Sequence, residues 1–335
     1  MSSTSTPGPT SPPAKGGPTP RRAVWYAVLA IVVGVTSALQ SRINGELASA
    51  LGNSSQAAVI SFGTGLVLLC VLLLVLPSMR AGLRRLPAAL RSGSLSRWQL
   101  LGGLGGGSYV AVQTAVVPVI GVALFAVSGV AGQTVASLYV DKVGLGPAGR
   151  QLVTPTRIAA AALAVIAVVV SAADRLGTAT FSLVAVIAGL AAGAALAVQG
   201  AINGQVSVAA RSPLSASWVN FVVGTTLLLM LLAFRTATGG PGLTTTRQAW
   251  WLYTGGAIGV LFVATAAFVI AHLGVLLFTL CQIAGQVVGA VVLDLVSPVA
   301  GEHVTAWTLA GAALTLIAIA VGAGLLGSVR TARAG

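Results

Sequence analysis

Residues Leu39 to Gly65 read LQSRINGELASALGNSSQAAVISFGTG, and the pattern returns from Val198 to Gly224 as VQGAINGQVSVAARSPLSASWVNFVVG. At a constant offset of 159, with no gap, Gln40 meets Gln199, Ile43 meets Ile202, Asn44 meets Asn203 and Gly45 meets Gly204. Phe62 then meets Phe221, and Gly65 meets Gly224. A polar Q-x3-N-G at the end of one apolar run, followed by a turn and an F-x2-G in the next, is too particular for composition to produce twice. The correspondence continues at an offset of 153: Trp98 with Trp251, Gly102 with Gly255, Gly106 with Gly259 and Gly121 with Gly274. Phe125 with Phe278, Gly132-Gln133 with Gly285-Gln286, and Asp141 with Asp294 complete it. The chain is a tandem duplication.

Composition places both copies in a membrane. Of 335 residues 56% are hydrophobic and 7% charged, where a soluble chain carries about 25% charged residues. Five acidic residues cannot clothe a globular surface. The net charge of +13 does not point to nucleic acid, because the basic residues form no stripe with interleaved aromatics. Cys70 and Cys281 each lie inside an apolar run, which leaves no disulfide framework and no metal spacing.

A span needs about 20 apolar residues to cross a hydrocarbon core of about 30 Å. Ten runs qualify, at approximately 23–41, 56–76, 98–117, 119–140, 156–173, 180–200, 214–234, 250–271, 273–293 and 305–327. Near Pro118 and His272 two runs join almost without a break, so tight helical hairpins are expected there. All ten are expected to be helical, since backbone groups in lipid must be satisfied within the segment. Numbering the connections alternately, 14 of the Lys and Arg residues fall on one side and Arg42, Arg175, Arg235 and Arg247 on the other. The positive-inside rule then puts both termini in the cytoplasm. Segment 77–97 becomes a basic cytoplasmic loop, with a topological role and weak attraction to anionic lipid as its two readings.

Each copy holds five spans, an odd number, so the second copy enters the membrane the opposite way round. The fold class expected is an all-α polytopic membrane protein of ten transmembrane helices in two inverted five-helix repeats. The boundaries are a disordered cytoplasmic tail at 1–22, the first repeat at 23–175, the second at 176–329 and a short cytoplasmic tail at 330–335.

The Q-x3-N closing the first span, the F-x2-G of the second, and GQTVASLYVD (132–141) with GQVVGAVVLD (285–294) resemble the YdcZ-like branch of the drug/metabolite transporter superfamily. Members of that branch are often single five-helix halves; here two halves are fused, and the resemblance covers about residues 23–327. It implies a ten-helix inner-membrane carrier, an exporter of small molecules, and supplies no substrate. The chain lacks the membrane-embedded Glu of the first helix with which small multidrug exporters of the superfamily bind protons.

The residues that could carry transport are the polar ones inside apolar runs. Gln133 and Gln286 sit about eight residues from the span ends marked by Asp141 and Asp294. An amide at that depth either joins helices or contacts a polar substrate, and a pseudo-twofold axis would bring these two towards one cavity. Gln282 shares a helix face with Gln286. Gln40 and Asn44 share a face, as do Gln199 and Asn203; as span-end residues they anchor loops, or else line the cavity. Asn220, which matches Ser61, is a further substrate-binding candidate, and Tyr109 and Gln113 add polarity to the third run. Arg42 and Glu46, four apart, are expected to pair at the surface. Asp141 and Asp294 fall at span ends on opposite sides, where the alternatives are an interfacial pair (Asp141 with Lys142) and a gate or proton site. Neither His272 nor the Glu302-His303 pair has a metal-binding context, and no nucleophile–base pair is legible. The Gly102-x3-Gly106, Gly103-x3-Gly107 and Gly255-x3-Gly259 repeats permit close helix contact. The expected partners are a small-molecule substrate and the lipid bilayer, with a proton or sodium as possible coupling ion; no cofactor, metal or catalysis is expected. A secondary transporter working by alternating access is the leading reading, with an uncoupled facilitator or a non-transporting scaffold as alternatives.

Reporter domains fused at the two ends should both read out as cytoplasmic. Finding them on opposite faces would remove the ten-span arrangement.

Overall fold

The computed structural model describes residues 20–147, 149–150, 152–174, 176, 182–273, 275–298 and 304–322, and among these the regular structure is helical with no strand. The helices are α1 (Pro20–Leu51), α2 (Ser54–Val75), α3 (Pro77–Arg91), α4 (Gly103–Val143), α5 (Pro155–Ser171), α6 (Leu183–Ala210), α7 (Pro213–Ala237), α8 (Gly255–Leu273), α9 (Val275–Val296) and α10 (Ala306–Gly322). Short 3-10 turns at Arg97–Gly102 and Trp250–Tyr253 lead into α4 and α8. Several starts are written locally. Asn53 caps α2 by accepting the Gln56 N–H, Ser182 caps α6 and Ser212 caps α7, while α3, α5 and α7 carry Pro in their first turn.

Six helical stretches among the described residues are long and apolar enough to cross a bilayer; α5 and α10 are shorter apolar helices of 17 residues. Large apolar side chains such as Leu74, Val169, Val184 and Phe234 are exposed, while Asn44, Gln113, Thr114 and Ser128 are buried. That is the reverse of a water-facing surface, and the chain is a polytopic membrane protein.

Segment 77–97 is not a loop. Its first part is the amphipathic helix α3, which turns Met79, Gly82 and Leu86 inwards and leaves Arg84, Arg85 and Arg91 exposed. The basic residues hid its apolar stripe of three positions.

The hairpin expected near Pro118 lies at Gly121. Its φ of 77° and ψ of 169° belong to a region that only glycine enters readily, and they reverse the chain inside α4. The ring centroids of Tyr109 and Phe125 are 5.6 Å apart. Sixteen residues of straight helix would separate them by about 24 Å, so the two arms of α4, 103–120 and 122–143, fold back on each other. The equivalent Gly274 lies outside the described residues, as do the side chain of His272, the Glu302-His303 pair and most of both tails.

Reciprocal contacts relate the two repeats by a pseudo-twofold axis. Phe62 stacks on Phe221 with centroids 4.7 Å apart. Gly65 lies under the Phe221 ring, and Gly224 lies under the Phe62 ring. The backbone of Gly34 packs on the Gln282 carbonyl and that of Gly285 on the Ile31 carbonyl, crossing α1 over α9. Gly193 on the Gly129 carbonyl and Gly132 on the Leu190 carbonyl make the matching crossing of α6 over the second arm of α4. The first helix of each repeat therefore crosses the fourth apolar run of the other, and the repeats interlock rather than sit side by side. At one end Gln56 brackets the backbone of Thr244, donating Nε2 at 2.8 Å and accepting the amide N–H at 2.9 Å. At the other end the matching residue Ser215 donates to the Met79 carbonyl at 2.8 Å.

Gly193→Ala drives a methyl into the Gly129 carbonyl, whereas a methyl at Gly129 meets nothing within 4 Å. In thermal unfolding of the detergent-solubilised protein Gly193→Ala should lower the melting temperature, at a cost of about 1–3 kcal/mol for overpacking. Gly129→Ala should be neutral or stabilising by up to about 1 kcal/mol.

Candidate functional site at the repeat seam

Because α1 runs on to Leu51 and α6 to Ala210, Gln40, Asn44, Gln199 and Asn203 lie inside helices and not at loop-anchoring ends. Leu47, Ala48 and Leu51 are buried in their own apolar cluster, and this continuation of the helical stripe past Glu46 was the signal that the span-based reading missed.

In the first half of the seam Asn44, fully buried at 0% exposure, donates Nδ2 to Gln113 Oε1 at 2.6 Å. Gln113 donates Nε2 to Ser41 Oγ at 2.7 Å. The hydroxyl of Tyr109 lies close enough to Ser41, Gln113 and Gln286 to interact with all three. Gln286, 9% exposed, accepts from Gln282 at 3.1 Å. Opposite them α8 presents Gly255 to Asn44 and Ser61, and Gly259 to the amide of Gln40.

The second half repeats this design with different residues. Gln199 and Asn203 both donate to Asn220 Oδ1 at 3.1 Å. The 3-10 turn before α4 and the first arm of α4 supply the glycines, Gly102 against Asn203 and Gly106 against Gln199 and Asn220. Three buried oxygens along the seam, Asn44 Oδ1, Ser61 Oγ and Gln199 Oε1, have no hydrogen-bond partner among the described residues. Leaving a buried polar atom unpaired costs about 1–3 kcal/mol.

The charged residues fall differently from the expectation. Arg42 is not on the surface: it is 8% exposed, pairs with Glu46 and donates Nη2 to Ser297 Oγ at 3.0 Å. Asp294, also 8% exposed, accepts the N–H groups of Val122 at 3.2 Å and Ala123 at 2.7 Å, with Arg42 Nη1 at 3.9 Å. It caps the second arm of α4 at the Gly121 reversal, where the positive end of the helix favours a carboxylate. Asp141 pairs with Arg157 on α5 and not with its neighbour Lys142, which is exposed.

The two deep amides occupy different surroundings. Gln286 belongs to the Tyr109–Gln113 network. Gln133 makes no hydrogen bond among the described residues and lines a cavity of about 190 Å³ between the second arm of α4 and helices α5, α9 and α10. Arg157 lines the same cavity and was not singled out by the sequence, where its position at the start of an apolar run made it a topology marker.

A family model described as "Putative inner membrane exporter, YdcZ" matches the chain twice, over residues 25–170 and 184–321. No curated protein matches. A solved chain described only as "Crystal structure of protein" is similar at 20% identity over 92% of this chain and 98% of its own, with a TM-score of 0.48.

Asp294→Asn keeps the side-chain size but replaces one accepting oxygen with a donor facing backbone N–H groups. It should destabilise the folded protein by about 1–3 kcal/mol. Asp141→Asn, at a side chain 29% exposed, should cost less than about 1 kcal/mol; unfolding of the two purified variants side by side measures the difference.

Proposed function

From the premise that this chain belongs to the YdcZ family of inner membrane exporters, matched once by each half, we propose that it is a ten-span exporter of small polar or amphipathic molecules. It works by alternating access, with both termini cytoplasmic. The observation that carries the reading is the seam. Two polar clusters related by the pseudo-twofold face glycine-rich helices of the opposite repeat, and three of their buried oxygens lack a partner among the described residues. A substrate moving along the seam would supply the missing donors at Asn44, Ser61 and Gln199. Gln286, Gln282, Asn203, Gln40 and Asn220 form the rest of the path.

Inverted repeats supply two opposed ends that close in turn. The bracket of Gln56 on Thr244 and the Asp294–Arg42–Ser297 group stand at one end; the contact of Ser215 with Met79 stands at the other. In this reading Asp294 is a latch of the closed end and not a proton carrier, since both of its oxygens are already held by N–H donors. The excess of Lys and Arg at the second of these ends supports a cytoplasmic position for it.

The test is a thermal-unfolding screen of the purified protein against small metabolites and cationic drugs, followed by flux of any hit in proteoliposomes. A ligand at 100 times its Kd should stabilise by about 2.7 kcal/mol. Asn220→Ala and Gln286→Ala should remain folded and lose both the stabilisation and the flux. Flux that survives both variants would move the path away from the seam, and a folded protein that passes none of its ligands would favour a scaffold.

A further inference from the structure

We propose that the cavity between the second arm of α4, α5, α9 and α10 binds an amphipathic organic anion, separately from the seam. The head of the anion engages Arg157 in competition with Asp141. Its apolar body lies against Val130, Ile283 and Ile319.

Charge sign comes first. Among the residues lining the cavity Arg157 carries the charge, and no carboxylate lines it. Asp141 approaches Arg157 from the end of α4 and is not part of the lining. Arg157 also stands in the first turn of α5, directly after Pro155 and Thr156, where the helix dipole favours an anion beside it; Asp141 holds that place and is the group that a ligand head would replace. Hydrogen-bonding capacity comes second. The hydroxyls of Thr134, Ser137 and Thr315 donate back to their own helices at 2.7, 2.8 and 2.9 Å. The amide of Gln133 and the hydroxyl of Thr279 donate to nothing among the described residues, so they are the donors left for a ligand; Arg157, whose Nη2 pairs with Asp141 and whose Nη1 donates to the Leu152 carbonyl at 3.5 Å, joins them by exchanging Asp141 for the head of the anion. A guanidinium presents its N–H groups as a planar fork suited to carboxylate or phosphate. Size comes third: about 190 Å³ is more than ten times the roughly 10–15 Å³ that one water requires. The rest of the lining is alanine, leucine, isoleucine, valine and glycine, which suits an apolar body.

The same head-group chemistry could come from a free acid or from an anionic lipid. Purified full-length protein in detergent without added lipid would be titrated with 3-phenylpropionate, 3-phenylpropanol and 3-phenylpropylamine, which share one body and differ in the charge of the head. The acid should bind at least about tenfold more tightly than the alcohol or the amine, as one charge-assisted contact requires. Gln133→Ala and Arg157→Gln should each weaken the acid and leave the alcohol unchanged. Asp141→Asn removes the competitor and should tighten the acid; because this outcome is a gain, a folding defect cannot imitate it. Displacement of the acid by added phosphatidylglycerol would assign the head-group position to lipid, and its persistence would assign it to a free acid; either supports the anion site. Equal binding of acid, alcohol and amine would overturn the proposal, as would an affinity for the acid that neither Arg157→Gln nor Asp141→Asn changes. None of these outcomes depends on flux through the seam, so failure here leaves the exporter reading standing.

Discussion

The structure depends on backbone touching backbone at glycine. Lipid chains are as apolar as leucine, so helices in a bilayer gain little from burying one another's apolar faces, and close approach must supply the attraction. Gly34, Gly193, Gly132 and Gly285 each place a bare Cα on a carbonyl of a helix from the other repeat. These four contacts fix which helices travel together. They bind α1 to α9 and α6 to the second arm of α4, across the repeat boundary. Any rocking motion that keeps them must move mixed bodies, each built from both repeats.

Close packing of this kind leaves polar groups with little water to turn to. The charges at one end of the seam are held together as a group: Arg42 pairs with Glu46 and donates to Ser297, its Nη1 lies 3.9 Å from Asp294 without a hydrogen bond, and Asp294 accepts from two N–H groups at a helix start. A charge at mid-membrane would cost about 2.5–3.5 kcal/mol on insertion scales, and capping a broken helix recovers part of that by satisfying donors which the Gly121 reversal exposes. The amides at the seam are left incomplete, with Asn44 Oδ1 and Gln199 Oε1 unpaired among the described residues. In the exporter proposed above, incomplete neutral groups would suit a path that binds and releases, since a fully paired network would resist both.

Much of this was legible in the sequence because it is carried by periodicity and repetition. The offsets of 159 and 153 made the duplication visible, and the pairing of Gly65 with Gly224 and Phe62 with Phe221 already named the residues on the axis. What could not be read was partnership across space. Hydropathy ended the first run at Arg42 because a charge lowers the local mean, although α1 continues through Leu47 and Leu51. Asp294 looked like an interfacial residue because nothing in sequence links it to Val122 and Ala123, 171 or more residues away. Arg157 was counted as a topology marker for the same reason: its neighbours in the cavity come from four separate helical segments. Gln133 and Gln286 were paired by symmetry, yet their surroundings differ, because the residues around them have diverged while they have not.

That divergence is instructive. In the second repeat Asn220 is long enough to accept from both Gln199 and Asn203. Its counterpart Ser61 is too short to do the same, and its hydroxyl has no partner among the described residues. Asn44 turns instead to Gln113, whose counterpart is Ala266, and the network is extended by Tyr109, whose counterpart is Phe262. Two polar groups in one half, Gln113 and Tyr109, therefore stand where serine's missing reach would otherwise leave a gap, and apolar residues take their places in the other. Two identical halves could not differ in this way, since a change in one would appear in both. Fusion into one chain removes that constraint. The two halves of the seam can then carry unlike chemistry, with serine and tyrosine hydroxyls joined to the amides in one half and amides bonded to amides in the other.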